Sequence, residues 1–177
     1  MATRRHWAEV RKILEQDLLC DSLKGRIRYF ATRYRKAHDE QGRVCVLVDD
    51  KEIINMPFTA ENKIYEEVYK REETERDKSY ADIHKEIKME HAKQGLYHPG
   101  DFGSALDEFL TNSISDSINS ENWIVRMLAI LDRRVGKRTL IKIEPTLEHL
   151  PEWLQYFYKL RVESEKLIQS NYKKMGE

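Results

Sequence analysis

The stretch that decides the fold runs from Ser22 to Phe58, SLKGRIRYFATRYRKAHDEQGRVCVLVDDKEIINMPF. Its centre, Val44-Cys45-Val46-Leu47-Val48, is apolar at consecutive positions and rich in β-branched residues. That is the pattern of a central strand covered on both faces. Asp49-Asp50-Lys51 then supplies turn chemistry, because short acidic side chains tolerate left-handed backbone and hydrogen-bond locally. Extended structure resumes from Glu52 to Phe58 and closes at Pro57, which has no N–H to give to a ladder. Upstream, Gly25 opens a strand from Arg26 to Arg35, and the loop 36–42 returns the chain antiparallel. The expectation is a three-stranded antiparallel meander over about 25–58.

The first of these strands carries unusual chemistry. Side chains alternate between faces, so Ile27, Tyr29, Ala31, Arg33 and Arg35 share one side, and Arg26, Arg28, Phe30, Thr32 and Tyr34 the other. Arg43 opens the strand that pairs with it, and like charges opposed across strands are destabilising. A counter-charge is therefore required: Asp39 and Glu40 in the loop, an acidic helix, or an external anion. Internal salt-bridging is the simpler of these readings.

The flanking sequence is helical. Trp7, Val10, Leu14 and Leu18, widened by Ile13, form a helical stripe within a segment of about 4–20, with Thr3 as its cap, and this helix should lie on one face of the meander. Residues 60–94 form a charged segment with Ile64, Val68, Ile83 and Ile87 at helical spacing, interrupted by the wholly polar run 70–79. Two helices joined at that run are favoured over one long helix with an exposed waist. His84 and His91, with Glu90 beside His91, lie seven residues apart, which is not the spacing of a zinc helix, so the expectation is a solvated face and no metal. A helical part spans about 102–170: one helix from Phe102 to about Ile118, capped by Asp101, then the apolar Trp123–Leu131 against the sheet, ended by Gly136, and a last helix bearing Trp153, Phe157, Leu160 and Leu167. Arg133, Arg134, Lys137 and Arg138 crowd the exit of the Trp123–Leu131 helix in a manner that suits the helix dipole better than an anion site.

The whole is read as one α+β domain over residues 1–177. Charged residues make up 35% and aromatics 10%, with zero formal net charge, a globular composition rather than a disordered one. Cys20 and Cys45 stand in apolar surroundings without paired spacing, as buried thiols do. No secretory leader or membrane-spanning run is visible, so a cytoplasmic location and no membrane partner are expected. The charge is uneven: residues 1–45 hold 11 Lys/Arg against 6 Asp/Glu, whereas residues 101–122 hold none against 5.

The segments SLKGR, TRYRKAHDEQGR and DDKEI, with FGSALDEFL and LDRRVGKR further on, make the chain similar to an uncharacterised bacterial protein family without established activity. The resemblance covers most of the chain. It implies a single domain in a bacterial cytoplasm and brings no catalytic residues with it.

Nucleotide-binding glycine loops, GxSxG elbows, HExxH helices and paired CxxC motifs are all missing. No cofactor is expected. Asp49-Asp50-Lys51-Glu52 faintly suggests a metal nuclease, but a hairpin turn accounts for it better. The best reading is a non-enzymatic binding or regulatory protein whose basic strand contacts an anion such as nucleic acid, using Arg26, Arg28, Tyr29, Arg33, Tyr34, Arg35, His38 and Arg43. Arginines grip phosphate and tyrosines stack on bases. Two alternatives stand beside it. One is a small hydrolase or phosphate-handling enzyme with a pocket near His38, Asp39 and the His98–Asp101 loop. The other is a homo-oligomeric protein-interaction module.

Overall fold

A computed structural model describes residues 6–33 and 42–166, including the backbone but not the side chain of Arg33. Strands β1 (Ile27–Arg33), β2 (Gly42–Val48) and β3 (Lys51–Pro57) form one antiparallel sheet in the order β1-β2-β3. Eight α-helices occur among the described residues: α1 (Trp7–Lys12), α2 (Ala60–Glu72), α3 (Tyr80–Lys93), α4 (Pro99–Thr111), α5 (Ile114–Ile118), α6 (Trp123–Leu131), α7 (Lys137–Ile143) and α8 (Glu152–Ser164). The fold is α+β, with the meander in the first third of the chain as its sequence requires.

The turn between β2 and β3 is a two-residue hairpin. Val48 pairs with Lys51, and Asp49 and Asp50 both take left-handed backbone, at φ 49° and 65°. That geometry matches the twist of the flanking strands, and short acidic residues enter it more readily than most. β3 carries a bulge: Val46 opposes Ile54 while Leu47 opposes Glu52, so Ile53 is the extra residue. The bulge resets the alternation and puts Glu52 on the same face as Asn55.

One face of the sheet is core. Ile27, Tyr29, Val44, Val46, Val48, Ile54 and Met56 are buried there. The Phe102 ring of α4 packs on Tyr29 at 6.0 Å and on Trp7 at 6.2 Å. α4 touches both β2 and β3 and also packs on α6, whose main neighbours are α4, α5 and α8. The most apolar helix therefore sits in the helical layer, and α4, not α6, covers the sheet. Its apolar circumference made it the obvious candidate for the sheet, but helices on three sides cover it equally well.

Other elements depart from expectation in instructive ways. The N-terminal helix runs along β1, and after Lys12 it widens into a π-helical turn, Ile13–Asp17, closed by Leu18 N–H donating to the Ile13 carbonyl at 2.9 Å. The helix begins after His6, and Thr3 lies outside the described residues. The helix expected from Phe102 to Ile118 is two helices, broken at Asn112-Ser113, where Ser113 caps α5 by accepting from Asp116 N–H at 3.1 Å. α4 starts earlier than expected, at Pro99, with His98 as its cap. Gly136 precedes α7 rather than ending α6, which stops at Leu131. Leu167 lies outside the described residues.

The charged segment is two helices, as its polar interruption suggested. α2 and α3 pair as a hairpin around a small core of their own, Ile64, Val68, Ile83 and Ile87, separate from the main core. Arg71 ties the two helices together near their connection by reaching Glu75, Glu86 and Glu90 at 2.7–3.1 Å. His91 is buried, not solvated, and its Nε2 lies 2.9 Å from Glu67 Oε2. Cys20 and Cys45 are buried free thiols.

Candidate nucleic-acid interface

The opposite face of the sheet departs from the expectation of a strand covered on both sides: Cys45 is buried there, but among the described residues Arg28 and Phe30 stand exposed around it. Because β1 alternates, burial of Ile27 and Tyr29 turns Arg28 and Phe30 outward. Across the ladder Arg28 pairs with Leu47, Phe30 with Cys45 and Thr32 with Arg43, so these side chains share one surface. Phe30 is 48% exposed, unusual for a phenylalanine in the body of a strand. Around it lies a groove of about 460 Å³, lined by Arg11, Arg28, Arg43, Leu47 and Glu52 along with Tyr29 and Phe30 itself.

The arginines are each held by a carboxylate. Arg26 forks onto Asp49, with Nε–Oδ1 at 3.0 Å and Nη2–Oδ2 at 2.7 Å. Arg28 pairs with Asp50. Arg43 forks onto Glu52 at 2.8 and 2.5 Å. Acids of the β2–β3 turn and bulge thus supply counter-charges to Arg26, Arg28 and Arg43. This explains the DDKE cluster: β1 begins beside that turn, with Asp49 N–H donating to the Arg26 carbonyl at 2.8 Å. The Arg26 hydrogen bond holds the Asp49 carboxyl below its ordinary range, and Asp49 in turn raises the Arg26 guanidinium.

The expected site residues separate into three groups. Arg26, Arg28 and Arg43 stand on or beside the open face. Tyr29 does not: its ring is 2% exposed beneath the sheet, where burial pushes its hydroxyl far above the usual tyrosine range. It has no access to a base, and Phe30, its neighbour of opposite parity, holds the exposed position. Tyr34, Arg35, His38 and Asp39 lie outside the described residues, as does the Arg33 side chain. Arg33 itself ends β1 opposite Gly42. Phe30 and Arg11 were missed as site residues. Strand parity pointed to Phe30, which shares a face with Arg28. Arg11 was hidden as half of a helical Arg11–Glu15 pair, 3.0 Å apart.

The second loop is occupied by its own helix. His98 Nδ1 accepts the Gly100 N–H at 3.0 Å, and Asp101 Oδ2 accepts the His98 N–H at 2.9 Å, a reciprocal capping box. Lys88 Nζ reaches Asp101 Oδ1 at 2.9 Å. Asp132 is buried and holds Arg134, with Nη2 at 2.6 Å, and the guanidinium lies 5.7 Å from the Phe109 ring centre. Among the described residues no three His, Cys, Asp or Glu side chains gather as a metal site requires. No helix among them is long and apolar enough to cross a membrane.

A family model matches residues 6–162, and the chain belongs to the SF0329 protein family. That family is uncharacterised. No curated protein and no solved structure matches the chain.

Proposed function

We propose that the open face of the sheet binds single-stranded nucleic acid. A base stacks on Phe30, and the phosphates on either side meet Arg28, Arg43 and Arg11. The observation that carries this reading is the 48% exposed Phe30 ring in a groove with three arginines on its walls. Every base offers a π-face, so an exposed ring flanked by cations recognises single strands with little regard to sequence. Arginine forks suit phosphate oxygens.

The Asp50 carboxylate does not oppose this. The Arg28–Asp50 pair is exposed, and exposed pairs contribute only about 0–1 kcal/mol. A phosphate takes the place of Asp50 at little cost, and until then Asp50 holds the guanidinium in position. Arg26, Arg33, Tyr34, Arg35 and His38 continue the basic run in sequence. Zero net charge is compatible with it because residues 1–45 carry a local excess of +5, from 11 Lys/Arg and 6 Asp/Glu. The hydrolase reading has less support, because His98 and Asp101 are committed to the α4 cap.

The test is fluorescence polarisation with a short labelled single-stranded RNA. Phe30→Ala is expected to weaken binding by about tenfold, in keeping with ~1–3 kcal/mol per stacked base. Equal affinity of Phe30→Ala and wild type removes the proposal.

A further inference from the structure

The α2–α3 hairpin carries a surface that shares no residue with the sheet groove. Glu61, Tyr65, Tyr69 and Glu72 follow one another at spacings of four, four and three, which places them in one stripe along α2. Tyr80 and His84 stand four apart on α3. Ring contacts join the two helices into one band. Tyr65 lies 6.0 Å from His84, His84 stacks on Tyr80 at 6.1 Å, and Tyr80 meets Tyr69 at 6.5 Å with the planes inclined at 58°. The band faces outward, with Tyr69 62% exposed and Tyr65 and Tyr80 each 39%.

Exposed aromatic side chains are ordinary when scattered, but a connected run of them marks an interaction surface, and tyrosine is enriched at such places. The charges beside the band say what kind of partner it suits. The Tyr65 hydroxyl donates to Glu61 Oε1 at 3.2 Å. Glu72 is half-buried and makes no ion pair or hydrogen bond among the described residues. Burial, Tyr69 and then the Glu72 charge push the Tyr80 hydroxyl up, so that carboxylate stands near the Tyr80 ring. A carboxylate drawn partly out of water without a counter-ion is costly, and a cation brought by a partner relieves it. The band has no cation of its own to do so. No lysine or arginine stands in the α2 stripe. Lys88, the next position along α3, is held by Asp101 at 2.9 Å, and Arg71 is taken by Glu75, Glu86 and Glu90.

We propose that this face of the hairpin docks an arginine-bearing segment of a partner protein: a guanidinium lies over the Tyr69 and Tyr80 rings and forks onto Glu72. A cation over a tyrosine face is attracted by the ring quadrupole, and the planar guanidinium stacks there while its N–H groups stay free for a carboxylate. The inclined planes of Tyr69 and Tyr80 offer it two such faces. A nucleic-acid strand on the same band would set its phosphates against Glu61 and Glu72, and like charges oppose that.

The experiment titrates the full chain with a short labelled peptide of alternating arginine and glycine, read by fluorescence polarisation and by NMR. Saturable binding is expected, with backbone shifts centred on Tyr69, Glu72 and Tyr80. Tyr69→Leu keeps apolar area but removes the π-face, and is expected to weaken binding about threefold, the Tyr69→Leu/Tyr80→Leu double variant about tenfold. Tyr69→Phe keeps the ring and is expected to bind like wild type. All these positions are exposed, so melting temperatures are expected to stay near that of wild type. Shifts centred elsewhere, or a double variant that binds like wild type, overturn the proposal, because the peptide then senses net negative charge alone. Absence of saturable binding also overturns it; sedimentation showing self-association that the double variant loses would then assign the face to a second copy of the chain. Since the band and the sheet groove have no residue in common, none of these results bears on RNA binding.

Discussion

The carboxylate of Glu15 accepts the backbone N–H of Tyr29 at 2.8 Å, capping the edge of β1 that faces away from β2. An edge strand presents unpaired N–H and C=O groups, and proteins cover them to prevent unwanted pairing. Here the cover is a buried acid on the π-helical turn, held by Arg11 through Nε at 3.0 Å and Nη2 at 3.1 Å. The wider turn that ends the helix carries Glu15 to its position beside the strand.

Replacing Glu15 tests that account. Glu15→Ala leaves a buried N–H unpaired and is expected to destabilise by about 2 kcal/mol. Glu15→Gln keeps an acceptor and is expected to cost about half as much. Urea unfolding measures both, and equal losses for the two variants contradict the role assigned to the acceptor.

The β2–β3 turn gives a prediction of opposite sign. Asp50 occupies left-handed backbone at φ 65°, a conformation glycine enters freely. Asp50→Gly is expected to leave stability unchanged or raise it by up to ~1 kcal/mol, because the exposed pair it removes is worth no more than that. The same change releases Arg28 from its carboxylate, so affinity for single-stranded RNA is expected to rise. Loss of RNA affinity in Asp50→Gly contradicts the displacement argument.

The acid side of the stability profile has a definite sign. Hydrogen bonds from Arg26 depress the Asp49 carboxyl, and those from Arg71 and Lys78 depress Glu75. A depressed folded value contributes stability above the ordinary carboxylate range, which is lost as pH falls through the folded value. The urea midpoint is therefore expected to hold steady from neutral pH down to about 4 and decline below it. Asp49→Asn should flatten part of that decline. An unchanged decline in the variant argues against a role for the Arg26–Asp49 fork.

The α2–α3 hairpin has only four residues in its own core, Ile64, Val68, Ile83 and Ile87. Ile87→Ala is expected to open this hairpin locally, since cavities at buried isoleucines cost ~2–5 kcal/mol and a small unit has little in reserve. Hydrogen exchange should then quicken across α2 and α3 while β2 and α6 stay protected. Uniform loss of protection across the chain contradicts the separation of the two cores.

Much of the fold was legible because local chemistry and global arrangement agree. Val44–Val48 reads as a central strand from its composition, and Asp49-Asp50 reads as its turn. The polar run 70–79 marks the break between α2 and α3. What the sequence concealed is mostly a matter of partners. Nothing local shows that Asp49, Asp50 and Glu52 answer Arg26, Arg28 and Arg43, because the pairing depends on the antiparallel return of β1. Parity placed Tyr29 and Phe30 on opposite faces but left open which face is core. The burial of Tyr29 against Phe102 decides it. The α4 cap was misplaced because Pro99 looked like loop punctuation, whereas proline is also a favoured first residue of a helix.

The most direct test of the central claim is the salt dependence of RNA affinity, compared between wild type and the Arg28→Ala/Arg43→Ala double variant. If these arginines contact phosphates, log affinity falls linearly with log salt, and the slope shrinks by about one for each arginine removed. A slope the same in both proteins, or no binding at low salt, contradicts the assignment of the open sheet face as a nucleic-acid interface.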